Sequence, residues 1–212
     1  MEFGVRNRLS SRPNMNSENQ TQTAQSIRVD LEFTPNPNTL KYVVNVALLL
    51  SGAENFKDSA SVKGKSDLAD ELFKLKGIQS LMIGKTFVTV TLGEQDSLTE
   101  LNDQIISIIQ NYLGAGKPAV NLDVIAADRE TQSPGNLGPV EERIVRILDE
   151  EIRPAVAMDG GDITFERFHE GVVYLHMKGS CAGCPSSTAT LKMGIENRLK
   201  ENIPEVIEVV AV

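Results

Sequence analysis

The stretch Gly179-Ser-Cys-Ala-Gly-Cys-Pro-Ser-Ser-Thr-Ala-Thr-Leu-Lys-Met-Gly-Ile-Glu-Asn-Arg-Leu199 changes character in its middle. Its first part holds the chain's two cysteines, Cys181 and Cys184, separated by two small residues. Its second part places Leu191, Ile195 and Leu199 four apart, the apolar line of a helix. Pro185 suits the first helical position, where its missing N–H costs nothing. Just upstream, Val172 to Lys178 is rich in β-branched and aromatic residues and reads as a strand. The order is therefore strand, cysteine loop, helix.

Working outward, Ile163 to Phe168 is a second strand, joined to the first by a turn at His169-Glu170-Gly171. Before it, Val140, Ile144, Leu148 and Ile152 mark a helix that Pro154 is expected to terminate. Val206 to Val212 is a last strand. Residues 139–212 thus form an αββαβ unit. Ala126 to Gly138 has almost no apolar content and reads as a linker.

Residues 27–125 read as a second small domain, so the fold class is α+β with two units. Ile27, Val29, Leu31 and Phe33 alternate with polar residues as in a half-buried strand. Thr34-Pro-Asn-Pro-Asn38 is a forced turn, because proline fixes its own φ and restrains the residue before it. Leu40 to Val46 is a strand and Ser51 to Lys65 a loop. A helix follows from an N-cap at Ser66, then a hairpin over Ile78 to Ile83 and Thr86 to Leu92. Ser97 to Glu100 fits a capping box opening a further helix that Gly114 and Gly116 close. The unit reads ββαββα, with an extra strand over Val120 to Ile125 left as an option.

Two thiols separated by two residues can address one small volume. A helix N-terminus at Cys184 favours thiolate, so at least one thiol is expected below the free value of about 8.5. Three uses of the pair compete: unused structural cysteines, a dithiol–disulfide oxidoreductase, and a zinc or iron–sulfur site. Redox motifs of this spacing usually carry aromatic or proline neighbours, whereas Ala182 and Gly183 lie here and the chain has no Trp. Zinc and iron–sulfur sites usually need four protein ligands, and one chain offers two thiolates.

The Cys181 to Leu199 segment, preceded by Arg153-Pro154 and Met158-Asp-Gly-Gly-Asp162, resembles the C-terminal domain of NifU and its relatives, the Nfu proteins. Phe33-Thr-Pro-Asn-Pro-Asn-Thr-Leu-Lys41 is similar to the N-terminal domain of Nfu proteins. The resemblance implies a scaffold or carrier of [4Fe–4S] clusters (with [2Fe–2S] as the alternative), ligated by Cys181 and Cys184. It implies upstream cluster-assembly machinery as donor and apo iron–sulfur proteins as recipients. With two thiolates per chain, a homodimer is expected when the cluster is bound.

The composition is that of an ordinary globular chain: 212 residues, 41% hydrophobic and 24% charged, with a net charge of −8. An acidic surface argues against nucleic acid. The longest apolar run, Val43 to Leu50, is far short of the roughly 20 residues a bilayer requires, so no membrane role is expected. Residues 1–26 carry Arg6, Arg8 and Arg12 among Ser, Asn and Gln and read as a disordered tail, with an organelle leader as the alternative. The compartment expected is a bacterial cytoplasm, or else the mitochondrial matrix. No general base or nucleophile constellation is visible, so no catalytic residue is assigned and the chain is not read as an enzyme.

Several other features have plainer readings. Asp159-Gly-Gly-Asp162 is taken as a tight turn rather than a metal or phosphate site. His169 and His176 are ordinary structural histidines, and Tyr174 packs. Thr34 to Asn38 is a rigid connector in preference to a peptide-binding turn. Leu48-Leu49-Leu50 belongs to the core.

Overall fold

The computed structural model describes residues 26–93, 98–132, 137–182 and 185–212. In the first unit, β1 (Val29–Phe33), β2 (Thr39–Val44), β3 (Glu54–Phe56), β4 (Ile78–Ile83) and β5 (Phe87–Leu92) form one antiparallel sheet in the order β1-β2-β5-β4-β3. Helices α1 (Asp67–Phe73), α2 (Leu98–Gly114) and α3 (Leu122–Gln132) complete this unit. Leu40, Tyr42, Val44, Val88, Val90, Leu81 and Ile83 share one core with Leu68 and Leu72 of α1 and Ile105 and Ile109 of α2. Ser66 caps α1 as expected: its Oγ accepts from the Ala69 N–H at 3.0 Å and donates to the Ala119 carbonyl at 2.6 Å. Such a cap contributes about 1 kcal/mol.

In the second unit, α4 (Pro139–Ile147) runs through a π-helical turn at Leu148–Ile152 into α5 (Arg153–Met158). Then come β6 (Gly161–His169), β7 (Val172–Gly179), α6 (Pro185–Asn202) and β8 (Glu208–Ala211). The sheet order is β6-β7-β8, antiparallel then parallel, with α6 as the crossover between the parallel strands. Ile144 and Leu148 from the first helix and Ile195 and Leu199 from α6 are buried together against Ile163, Val173 and Leu175. Glu170 and Gly171, both at positive φ, close the β6–β7 hairpin.

The two-domain α+β reading holds, and local structure departs from it in four places. The Ser51 to Lys65 loop contains β3 and a 3-10 turn at Ser59–Val62, capped by Asp58. The optional strand over Val120 to Ile125 is instead the start of α3, which extends to Gln132 over the beginning of the presumptive linker. Pro154 does not end its helix. It sits in the first turn of α5, just after the π turn, where no intrahelical N–H bond is required of it. Leu48 and Leu49 are buried, but Leu50 is 83% exposed. The capping box at Ser97 lies outside the described residues.

The first sheet is covered on both faces, and this positions the site. Thr39, Lys41, Phe87, Thr89 and Met82 alternate with the core residues, yet all five are buried. Lys41 lies beside Thr89, and Thr89 beside Met82, in the strand register. That row is covered by the second unit.

Candidate metal centre

β7 ends at Gly179 and α6 begins at Pro185, so the C-x-x-C motif occupies the strand-to-helix loop as expected. Cys181 is described; Cys184 lies outside the described residues. The Cys181 side chain turns inward and is 5% exposed, packed with the core of the second unit. Its neighbour is the Gly160-Gly161 turn. A Cβ at Gly161 would stand 2.3 Å from Cys181 Sγ, so only glycine leaves room for the sulfur.

The loop is pinned by polar contacts on each side of the thiol. Ser180 donates its N–H to the Gly160 carbonyl at 3.1 Å and its hydroxyl to the Asp159 carbonyl at 2.5 Å. The Ala182 N–H donates to the Gly179 carbonyl at 3.1 Å. Asp162 receives two guanidinium bonds from Arg153, at 2.8 and 3.0 Å, and so serves the tight turn as a structural carboxylate.

Burial pushes the Cys181 thiol up to about 11; a contact from Ser180 works the other way, and the Asp159 and Asp162 carboxylates add to the rise. Cys181 is therefore not the thiol expected to lie below the free value. The helix-end argument concerns the sulfur nearest α6, whereas Cys181 is held in a low-dielectric pocket where the thiolate loses its hydration. Among the described residues, no three His, Cys, Asp or Glu side chains gather into a metal-binding group. Both histidines lie elsewhere. His169 is at the opposite end of the β6–β7 hairpin, and His176 lies 3.2 Å from the Val212 carbonyl oxygen and 3.5 Å from Glu166. Tyr174 packs under the Arg167 guanidinium at 3.8 Å.

The first unit also reaches this loop. Asn36 donates its side-chain amide to the Ala182 carbonyl at 3.1 Å. Lys41 donates to the Met158 carbonyl at 2.9 Å and pairs with Glu32 at 2.8 Å. A cavity of about 790 Å3 opens beside Cys181, lined by Pro35 of the first unit and by Ile152, Val156, Leu191 and Ile195 of the second. The sequence reading overlooked Gly161, Asn36 and Lys41. The paired glycines and the Pro-Asn-Pro turn were available as signals; the burial of Lys41 left none, since a lysine in an alternating strand reads as solvent-facing.

Fold and loop together define a two-domain α+β protein with a C-x-x-C strand-to-helix loop backed by a second sheet. Family models match both units in order: the Scaffold protein Nfu/NifU N terminal model over residues 29–116 and the NifU-like domain model over residues 144–210. A NifU-like protein of Schizosaccharomyces pombe is 34% identical over 91% of this chain and 75% of its own length. The human NFU1 iron-sulfur cluster scaffold homolog, mitochondrial, is 35% identical over 84% of this chain and 69% of its own. A solution structure of a NifU-like protein from Saccharomyces cerevisiae aligns with 56% of this chain and 98% of that one, at 22% identity and a TM-score of 0.42. The chain belongs to the Nfu family of NifU-like scaffold proteins.

Proposed function

We propose that this chain is a scaffold and carrier that binds an iron–sulfur cluster, of the [4Fe–4S] type, through Cys181 and Cys184 and passes it to apo iron–sulfur proteins. The observation that carries the reading is the loop itself: Cys181 sits between a strand and a helix, over a glycine that leaves space for its sulfur, in a chain of this family. The cluster is cargo. Two thiolates per chain hold it less completely than a four-cysteine cage, which suits release. Transfer proceeds by thiolate exchange, the recipient's cysteines replacing Cys181 and Cys184 in turn. Loading must remove the proton that burial holds on Cys181, since thiolate is the ligand form.

The upstream assembly machinery supplies the cluster. The mitochondrial matrix is the compartment that the mitochondrial relatives support, in preference to a bacterial cytoplasm. No helix among the described residues is long and apolar enough to cross a membrane.

Anaerobic reconstitution of the full chain with iron and sulfide tests the proposal. A brown protein with stoichiometric iron and sulfide is expected, and loss of both in Cys181→Ser and Cys184→Ser. A colourless protein that reduces disulfides would favour the oxidoreductase instead, and bound zinc without sulfide would favour a zinc-stabilised module.

A further inference from the structure

α6 buries Ile195 and Leu199 in the core of the second unit and turns its other side to solvent. From Ala189 to Asn197 the exposed positions are Ala189, Thr190, Met193, Gly194 and Asn197. None carries a charge, in a chain of which 24% is charged. Met193 is 66% exposed, a flexible apolar side chain held out into water. Gly194 beside it is not required by the chain's own packing. A helix-interior glycine is less stable than alanine, and a Cβ here would meet no atom within 4 Å among the described residues. Its bareness opens the cavity of about 790 Å3 beside Cys181, which Gly194 and Thr190 line together with Ile152, Val156, Leu191 and Ile195.

One helix face thus carries an apolar knob and, one residue on, the mouth of an apolar hole. Successive residues lie about 100° apart around a helix. Met193 and Gly194 therefore flank the line through Thr190 and Asn197 on its two sides. Two copies of a helix set side by side and parallel about a two-fold axis bring opposite flanks together. Met193 of each copy then meets Gly194 of the other, and its apolar end enters the cavity there. In an antiparallel pair like flanks meet, knob against knob. The cysteine motif directly precedes α6, so the parallel pair is also the one that sets both motifs at the same end. The fit of the side chains and the count of thiolates select the same arrangement.

We infer that the face of α6 around Met193 and Gly194 is the docking surface for a second copy of this chain, which forms a parallel two-fold helix pair with both cysteine motifs directed at one cluster. The inference deepens the proposed function and rests on the reading that a cluster takes its ligands from two chains. The face is free of charge, so two copies of an acidic chain meet there without direct repulsion. A single pair of helices buries less than the roughly 1,200 Å2 of a stable interface. The contact therefore directs the pairing and the cluster holds it, so that handing on the cluster lets the chains part.

Anaerobic native mass spectrometry of the reconstituted full chain tests the surface. Met193→Asp puts a carboxylate where the partner offers an apolar cavity, and is expected to raise the dimer dissociation constant at least about tenfold. Its apo urea midpoint should not move, because position 193 is exposed. Gly194→Leu fills the mouth of the cavity and should weaken the dimer likewise, with an unchanged or higher urea midpoint. Leu50→Asp, at an exposed position of the first unit, should leave the dimer intact. An undiminished dimer in both α6 variants overturns the inference; if transfer to a recipient falls instead, the face belongs to the recipient. A second measurement needs no cluster. Full chains carrying Cys181→Ser and Cys184→Ser are given one new cysteine each, Met193→Cys in one and Gly194→Cys in the other, and mixed at high concentration under mild oxidation with copper phenanthroline. The mixed disulfide is expected to form at least about tenfold faster than with Leu50→Cys as partner, since only the parallel pair brings the two positions within bridging distance. Equal rates would overturn the pair. Iron and sulfide content of the unsubstituted chain reports separately on the cluster reading, so either idea can fail alone.

Discussion

The guanidinium of Arg153 holds the carboxylate of Asp162 through Nε and Nη2, at 2.8 and 3.0 Å, and so fastens the start of α5 to the start of β6. The Asp162 side chain is 7% exposed and that of Arg153 26%, and Arg153 also reaches Asp149 at 2.9 Å. The two partners are therefore unequal. Removing the arginine strands a buried carboxylate, whereas neutralising Asp162 leaves Arg153 with Asp149 and partial access to water.

Arg153→Met is accordingly expected to destabilise the second unit by about 3 kcal/mol, the range for breaking a buried pair. Asp162→Asn should cost about 1 kcal/mol, close to one hydrogen bond. Urea unfolding monitored by circular dichroism would show the order. Equal losses would mean that the pair is not asymmetric in the way its burial indicates.

Gly161→Ala introduces a methyl 2.3 Å from Cys181 Sγ and 3.2 Å from the Lys178 carbonyl oxygen. The sulfur has to move, at a cost of about 1–3 kcal/mol for overpacking. The variant is expected to retain its β-sheet signal and to lose reconstituted iron. The same substitution in a Cys181→Ala background should be less destabilising, because the larger clash is gone. Additive effects in that double-mutant cycle would contradict direct contact between the two positions.

How far the sequence carried depends on where each residue's partners lie. Ser66 as a cap, the hairpin of β4 and β5, and the Leu191–Ile195–Leu199 line of α6 depend on neighbours a few positions away, and their patterns are local. β3 escaped because a three-residue edge strand has no period to detect, and Val120 to Ile125 because a short apolar run does not distinguish strand from helix. At the site, the loop and its cysteines were plain. Lys41 and Asn36 were not, because their buried surroundings come from Met158 and Ala182 in the other unit.

The thiol of Cys181, raised to about 11 by burial, sets a pH dependence in the apo chain. The unfolded thiol titrates near 8.5. Between those values the folded chain keeps a proton that the unfolded chain has lost, so the folded state loses stability as pH rises through the window and has its full contribution below it. In a Cys184→Ser background, the urea midpoint should fall between about pH 8 and about pH 10 by more with Cys181 present than with Cys181→Ser. A thiol titrating at or below the free value would show no such extra fall. Iron that binds thiolate must displace this proton, so loading should release protons and proceed faster as pH rises towards the thiol's midpoint.

The last expectation is that the cluster joins two chains. A cysteine-ligated cluster takes about four protein or exogenous ligands, and each chain offers only Cys181 and Cys184. Among the described residues no group of three or more His, Cys, Asp or Glu side chains stands ready to complete the set. A second chain supplies it, giving one cluster per pair of chains. Binding that requires association must reciprocally favour association, so the apo protein should be largely monomeric and the loaded protein dimeric. Cys181→Ser and Cys184→Ser should weaken cluster retention and dimerisation together, while a variant distant from the loop leaves both unchanged. A small thiol such as glutathione is the competing source of ligands. Anaerobic native mass spectrometry separates the two: a dimer with a single cluster supports the bridge, and a monomer carrying a full cluster with two bound thiols would overturn it.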